Sequence, residues 1–164
     1  MSKRLFILIT IVSMLAVFGS AQAQQPTATE PGAVLTEAQI NRDFAIPSTA
    51  NRRISALDVE VHEDGVYVSF QMTLTRDGKT ETLNIIAILI GLFSQPRVSS
   101  LQLENTMVSS FVAPAALQRE ISSLVLNSWA GYEAGVLATI PADQIPAQGF
   151  IMQDGKICNP KWGC

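Results

Sequence analysis

The sequence lacks the residue patterns that usually reveal chemistry. It has one histidine, His62, two cysteines, and no Gly-x-Ser-x-Gly nucleophile elbow. Its ten glycines stand mostly singly at turns, so no phosphate-binding loop is present. Aromatic residues make up 7% of the chain and do not alternate with basic ones, which argues against a stacking platform for single-stranded nucleic acid. These absences predict a non-enzymatic protein without a metal or cofactor.

Charged residues are sparse and form no basic patch. Only 15% of the residues are charged, and the net charge at pH 7 is −3. Loss of Lys3 and Arg4 with an export signal would leave nine basic and fourteen acidic residues, a net charge of −5. Outside that signal only Arg52 and Arg53 are adjacent basic residues. A mildly acidic surface argues against nucleic acid and anionic membranes as partners.

The first residues have the three-part order of a secretory signal. Lys3 and Arg4 precede an uncharged apolar stretch at 5–18, and small residues lead to Ala-Gln-Ala at 21–23. The apolar stretch is shorter than the roughly 20 residues of a membrane span. We therefore expect residues 1–23 to be cleaved, which leaves no transmembrane anchor. The mature protein is expected outside the cytoplasm, either secreted or held in the periplasm or cell envelope.

After the signal, a short leader precedes one domain. Residues 24–33 are polar and rich in Pro, Thr and Gln, which is typical of a flexible segment. Residues 34–164 are long enough for a single domain with one core. Its first element is predicted to be a short helix, because Thr36 and Gln39 form a capping box. Pro47 is expected to mark the end of that helix.

Two consecutive hairpins are the clearest structural signal. Apolar and polar residues alternate at 57–62 and again at 66–75, which is the period of a half-buried strand. Gly65 closes the first turn, and Asp77-Gly78 forms the second. The pattern predicts an antiparallel sheet with one face in water. A further short hairpin is predicted at 150–157.

The third strand of this sheet, residues 83–93, is apolar on both faces. The residues of one face are Ile86, Ile88 and Ile90, and those of the other are Leu83, Ile85, Ala87 and Leu89. The neighbouring strand has only one apolar face, so the second apolar face of this strand needs a cover. The first helix, a partner chain or a bound apolar ligand are the three candidate covers.

A fourth strand and the major helix complete the expected fold. The strand is predicted at 98–107, and Pro114 is suited to the first turn of the helix. The apolar residues at helical spacing are Leu117, Ile121, Leu124, Val125 and Tyr132, with Leu126 and Trp129 outside that stripe. Gly131 and Gly135 are candidate ends. Because the helix has few charges, we expect the sheet to embrace it.

An apolar slot between sheet and helix is the candidate binding site. Its predicted lining is Ile86, Ile88, Ile90, Leu101, Leu103, Leu124 and Val125. Sites for acyl chains need mainly apolar walls and few polar groups, which would account for the missing catalytic residues. The alternative is an ordinary closed core with no ligand.

The two cysteines, Cys158 and Cys164, are expected to form a disulfide. In an exported chain with only two cysteines, an intrachain bridge is the usual outcome. The intervening segment contains Pro160 and Gly163, which suit a tight return. The spacing is not Cys-x-x-Cys, so a redox role is disfavoured. Trp162 in this loop either packs over the bridge or serves as a contact residue.

The sole histidine, His62, falls on the polar phase of the first strand, next to Glu63 and Asp64. The pattern is typical of a solvated turn residue. A Ser-His-Asp triad assembles in space and is not excluded by spacing. Glu60, Glu63 and Asp64 are candidate calcium ligands, but they lack the spacing of a known calcium loop.

The order of elements resembles exported bacterial proteins of the tubular lipid-binding (TULIP-like) type. The resemblance rests on a capped LTEAQIN helix, a meander turning at Gly65 and Gly78, and a long helix in VAPAALQREISSLVLNSW. It covers roughly residues 34–135 and implies a curved antiparallel sheet wrapped around one long helix. It also implies binding of a lipid or another hydrophobic molecule without catalysis. The CNPKWGC tail lies outside the resemblance.

Together these features predict one α+β domain: a curved antiparallel meander of about four strands wrapped around one long C-terminal helix, with a short N-terminal helix and a disulfide-closed tail. The expected function is non-enzymatic binding of a lipid or other hydrophobic small molecule between sheet and helix. The alternative is an extracytoplasmic protein-interaction or envelope structural module, and an exported hydrolase using His62 comes third. The oligomeric state and the ligand are not predicted.

Overall fold

The computed structural model describes residues 32–104 and 114–164, which form an α+β domain. Two antiparallel sheets and one long helix make up the fold. The predicted signal peptide, most of the predicted leader, and the end of the fourth predicted strand at 105–107 lie outside the described residues. The elements are β1 (Ala33–Thr36), α1 (Glu37–Asp43), β2 (Arg52–His62), β3 (Gly65–Arg76), β4 (Lys79–Ile90), β5 (Arg97–Glu104), α2 (Pro114–Leu137), β6 (Ile151–Gln153) and β7 (Lys156–Cys158).

The larger sheet has the strand order β2-β3-β4-β5, so the predicted antiparallel meander is confirmed. Each strand pairs with the next one in the chain, because both hairpin turns form where Gly65 and Gly78 were expected to place them. β2 begins at Arg52, earlier than the alternation at 57–62 indicates. A register shift between Ser55 and Asp58 interrupts the alternation there, and Ala56 adopts a φ of 50°.

One face of this sheet, called the inner face, packs against α2. Every second residue of β3 and β4 is buried on it, from Val66 to Met72 and from Leu83 to Leu89. The buried side of α2 presents Leu117, Ile121, Val125 and Trp129, one residue per turn, to the same core. Sheet and helix therefore share a single core.

The smaller sheet has the order β1-β7-β6 and was not predicted. The hairpin expected at 150–157 forms as β6 and β7, and β1 pairs with β7. β1 begins at Ala33, at the end of the segment that composition alone assigned to the leader. The predicted capping box at Thr36 and Gln39 is present and starts α1 directly after β1.

The free edge of β2 is closed by side chains of α1. The Asn41 amide accepts from the Val59 N–H at 2.7 Å and donates to the Val59 carbonyl at 2.8 Å, as a neighbouring strand would. Further along, the Val61 N–H donates to the Glu37 carboxylate at 3.0 Å. Edge strands tend to recruit other chains unless they are covered, so α1 protects this edge.

The long helix α2 begins at Pro114 but continues to Leu137, so the expectation that it ends at Gly131 or Gly135 was wrong. Both glycines lie on its exposed side, while Trp129 and Glu133 are buried on the other. Burial of these two residues on the core side outweighs the cost of about 1 kcal/mol for a glycine within a helix. Neither helix described here is long and apolar enough to cross a membrane.

Candidate functional site

The structure separates the seven predicted lining residues: five lie on two opposite faces of the larger sheet, and two lie on α2. Leu101 and Leu103 of β5 lie opposite Ala87 and Ile85 of β4, which puts them on the inner face. Leu124 and Val125 of α2 approach the same face, with Val125 fully buried in the core.

Ile86, Ile88 and Ile90 point to the other face of the sheet, called here the outer face. Their partners on β3 and β5 are polar or small residues: Ser69 and Gln102 lie opposite Ile86, and Tyr67 and Ser100 lie opposite Ile88. All three isoleucines remain partly exposed and belong neither to the core cluster nor to the apolar residues packed against it. We call these three residues the isoleucine stripe.

The helix α1 does not cover the isoleucine stripe. Its apolar residue Ile40 and the following Phe44 are buried in the core shared by the inner face and α2. The first of the three candidate covers is therefore occupied elsewhere. Of the three candidate covers, a partner chain and a ligand are the two that α1 does not exclude.

Charge is distributed unevenly over the outer face. Its central strands present Tyr67, Ser69 and Gln71 on β3 beside the isoleucine stripe on β4, with no charged residue among them. At one side, β2 carries the acidic Asp58 and Glu60 and, further along the strand, the basic Arg53. At the other side, Arg97 of β5 lies opposite Ile90. The outer face therefore has an apolar centre, and its charges lie at the margins.

A half-open cavity of about 210 Å³ lies where the loop between β4 and β5 meets the β6–β7 hairpin. Its walls include Leu92, Phe93, Phe150, Met152 and Ile157. The ring centroids of Phe93 and Phe150 are 4.6 Å apart, so these two side chains pack together across the cavity. The cavity is below the size typical of ligand pockets, and Ser94 and Gln148 make its walls partly polar.

Behind this cavity, the buried carboxylate of Glu133 ties α2 to the β4–β5 loop. It accepts a hydrogen bond from the backbone N–H of Phe93 and one from Trp129 Nε1, the latter at 3.3 Å. Phe93 has a φ of 58°, a strained backbone conformation that the carboxylate holds in place. Burial raises the pKa of Glu133, and the two N–H donors oppose that rise only in part.

Two aromatic rings, those of Phe44 and Tyr132, pack against the indole of Trp129. Trp129 is fully buried, and Phe44 meets it edge to face with centroids 5.3 Å apart. Tyr132 completes the cluster at 5.6 Å from Trp129. Burial raises the pKa of Tyr132 to about 12, and its hydroxyl has no hydrogen-bond partner among the described residues.

Sequence periodicity alone assigned Trp129 to a position outside the apolar stripe of α2. That assignment was wrong, because Trp129 is fully buried, and the burial of Glu133 at 6% exposure was not predicted. The signal that could have found them is the four-residue spacing that runs from Leu117 and Ile121 through Val125 to both residues.

His62 lies at the end of β2, beside acidic groups. Its ring nitrogens are 3.4 Å from the Glu60 carboxylate and 3.8 Å from that of Asp154, and its ring meets Tyr67 at 4.8 Å. Glu63 and Asp64 are exposed at the neighbouring turn. Within residues 32–104 and 114–164, no three histidine, cysteine or acidic side chains are grouped in a way that could hold a metal ion.

The two cysteines lie near each other but not at disulfide distance. Cys158 is buried in β7, with its sulfur 3.7 Å from Gln153 Oε1, and Cys164 is exposed. Between them, the Trp162 indole donates to the Gln144 side chain at 3.1 Å, and the ring remains exposed.

Comparison with known proteins finds no matching family model, curated protein or solved structure.

Proposed function

We propose that this chain is an exported, non-enzymatic binding module that acts through the outer face of its four-stranded sheet. The observation that carries the proposal is the isoleucine stripe: Ile86, Ile88 and Ile90 in line on the face opposite α2. A sheet face that meets water normally carries polar residues. Three branched apolar residues at its centre gain free energy from a cover, at roughly 25 cal/mol per Å² buried.

The proposed partner is recognised by shape and apolar contact, and no chemical step is involved. The centre of the outer face has no charge, and its polar groups are hydroxyls and amides such as Tyr67, Ser69 and Gln102. These groups can form hydrogen bonds with a partner beside the isoleucines while the isoleucines lose water. Under this proposal, the predicted export signal at residues 1–23 directs the chain to the periplasm, the cell envelope or the medium.

Photo-crosslinking in an exporting host tests the proposal. With p-benzoyl-phenylalanine in place of Ser100, beside Ile88 on the outer face, irradiation should give a discrete adduct of higher mass on a denaturing gel. The matched control replaces Ser123, which is exposed on the opposite side of the molecule on α2, and should give no adduct. If position 100 stays free of adducts in a correctly folded protein, the outer face is not a binding surface.

A second candidate function is the binding of a lipid or another hydrophobic molecule, and the cavity beside Phe93 favours it. Leu92, Phe150 and Met152 give that cavity apolar walls at the end of the sheet. In the resemblance to tubular lipid-binding proteins, a strongly curved sheet wraps the helix and holds the ligand. Solvent extraction of the purified protein, followed by mass spectrometry, should recover a stoichiometric lipid under this alternative and none under the preferred one.

The proposal also includes a closed tail, in which Cys158 and Cys164 are joined in the oxidising compartment that export reaches. The bridge would anchor the exposed end of the chain to β7 and contribute roughly 2 kcal/mol by restricting the unfolded chain. The intact mass of exported protein should be two hydrogens below the reduced value, with no thiol open to alkylation until a reductant is added. Full alkylation of both cysteines without reductant would refute the bridge.

A further inference from the structure

We propose that the free edge of β5 pairs antiparallel with β5 of a second copy of this chain, which joins two four-stranded sheets into one sheet of eight strands. The two copies are related by a two-fold axis that is perpendicular to the sheet and passes beside Leu101. The surface involved is the edge of the sheet and not its outer face, so the inference does not depend on the proposed function. An edge strand presents a row of backbone N–H and C=O groups that a further strand can bind.

The two edges of the larger sheet differ. At the β2 edge, Asn41 and Glu37 of α1 bind the backbone at Val59 and Val61, as described above. In the part of the chain that the structure describes, β5 pairs only with β4 and has no strand on its other side. The β5 edge is therefore the side on which the sheet can be extended.

The burial of the apolar residues of β5 also indicates a missing neighbour. Val98, Leu101 and Leu103 lie on the inner face and pack against the core, yet all three remain partly exposed. The inner-face residues of β4, from Leu83 to Leu89, are at most 1% exposed. The helix α2 therefore does not cover this edge, and a strand beside β5 would remove water from the three apolar side chains.

A register shift in β5 decides which of its residues share a face. Ser100 lies opposite Ile88 and Val98 lies opposite Leu89, so Ser99 is an extra residue that β4 skips. A strand that pairs with the free edge must skip Ser99 as well, because otherwise its side chains would fall on the wrong faces. The register with β4 places the outer-face residues of β5 at Arg97, Ser100, Gln102 and Glu104.

With the two-fold axis at Leu101, each pair of opposing residues lies on one face. Leu101 lies opposite its own copy on the inner face, and Ser100 lies opposite Gln102 on the outer face. Beyond the skipped residue, Val98 lies opposite Leu103 on the inner face. Apolar pairs thus extend the core side of the sheet and polar pairs extend its outer side, as cross-strand pairing requires.

The two ends of β5 are residues of opposite charge, which selects this axis. With the axis at Leu101, Arg97 of one copy lies opposite Glu104 of the other, and the symmetry gives this pair twice. An axis at Ser100 or at Gln102 also keeps the faces in phase, but it leaves Glu104 or Arg97 beyond the paired region. The axis at Leu101 therefore gives the longest pairing and the only one with opposite charges at both ends. This self-complementarity is the reason to assign a second copy to the edge.

Isotope-mixed photo-crosslinking of the purified exported protein tests the pairing. Equal amounts of ¹⁵N-labelled and unlabelled chain, mixed so that subunits exchange, carry p-benzoyl-phenylalanine in place of the exposed Gln102. Trypsin releases positions 100 and 102 in one peptide, residues 98–119. The expected product is this peptide joined to its own copy with one labelled and one unlabelled half, which no link within a single chain can give.

A charge exchange tests the register. Arg97→Glu should raise the dissociation constant of the dimer roughly tenfold, because it places like charges opposite each other twice, and Glu104→Arg should do the same. The double variant Arg97→Glu/Glu104→Arg should restore the dimer, which a merely structural role of either residue would not do. Arg53→Glu, the same charge change at an exposed position of β2, should leave the dissociation constant unchanged. Sedimentation velocity over a concentration series measures all four.

A monomeric chain without a mixed-isotope product would overturn the inference, and so would a product that maps to another element or a double variant that stays dissociated. A link from position 102 to a foreign protein would show a different occupant and would overturn the second copy. The proposed function is read separately at position 100 in the host. An adduct there of twice the chain mass that Arg97→Glu removes belongs to the β5 pairing, whereas an adduct with a foreign protein supports the proposed function whether or not the pairing forms.

Discussion

Replacing Trp129 with alanine should destabilise the protein by about 3–5 kcal/mol, the range for removing a large aromatic side chain from a core. Trp129 is fully buried between Phe44 and Tyr132 and donates to the Glu133 carboxylate. Total stabilities of small domains are about 5–15 kcal/mol, so the loss is a large fraction. Urea unfolding followed by far-UV circular dichroism measures it.

Trp129→Phe is the matched control for this prediction. It retains a ring against Phe44 but removes the N–H donor to Glu133, so its cost should be clearly smaller, about 1–2 kcal/mol. Equal unfolding midpoints for Trp129→Ala and the unaltered protein would show that the indole is not part of the shared core of α2 and the sheet.

Replacing Glu133 with alanine should cost about 2–3 kcal/mol, because the Phe93 N–H and the Trp129 N–H lose their buried acceptor. The Phe93 backbone is strained at a φ of 58° and would no longer be held. Amide hydrogen exchange should therefore accelerate in the β4–β5 loop at residues 91–96. Unchanged exchange in this loop would show that Glu133 does not anchor it.

The free energy of unfolding should depend on pH in a way that reports the burial of Glu133. Because burial raises the pKa of Glu133 in the folded protein, the protonated form is the one that folding favours. Its stabilising contribution is complete below the ordinary glutamate pKa and is lost as pH rises through the folded pKa. Glu133→Gln keeps the acceptor oxygen and is neutral throughout, so it should match the unaltered protein near pH 4 and exceed its stability at pH 8.

The control for the pH series is Glu63→Gln, at an exposed position in the turn after β2. Its stability should follow that of the unaltered protein across the whole pH range, measured by urea unfolding at each pH. If Glu133→Gln is less stable than the unaltered protein at pH 8, the ionised carboxylate is the stabilising form and burial does not dominate its pKa.

Local sequence signals predicted the meander and the start of both helices. The alternation around Val59 and Val68, the glycine turns, and the capping box at Thr36 each act through a few adjacent residues. Such short-range interactions can be predicted from the sequence without knowledge of the fold. The antiparallel order of β2 to β5 follows from it, because short turns allow only neighbouring strands to pair.

The smaller sheet could not be predicted in the same way, because its pairing joins the two ends of the domain. β1 pairs with β7 across more than one hundred residues, and Leu35 opposite Ile157 supplies little local signal. Likewise, Asn41 gives no sign in the sequence that it closes the β2 edge at Val59. These contacts are decided by tertiary packing.

The candidate site was only half predictable. The period of two placed Ile86, Ile88 and Ile90 on one face of their strand, and the structure bears this out. The period does not show which face of the strand α2 covers, so a single apolar slot was expected. In the structure the inner face is filled by α2, and the isoleucine stripe lies separately on the outer face. Both faces of β4 are apolar, and only the position of the helix distinguishes them.

Native mass spectrometry of the exported protein, purified without detergent, tests the central claim most directly. If the outer face is a protein-binding surface, the spectrum should show a ligand-free complex, with a protein partner or with a second copy, that Ile88→Glu dissociates and Ile151→Glu does not. A monomer with a discrete extra mass that solvent extraction removes would contradict the account and point to the cavity beside Phe93 as the site of a hydrophobic ligand.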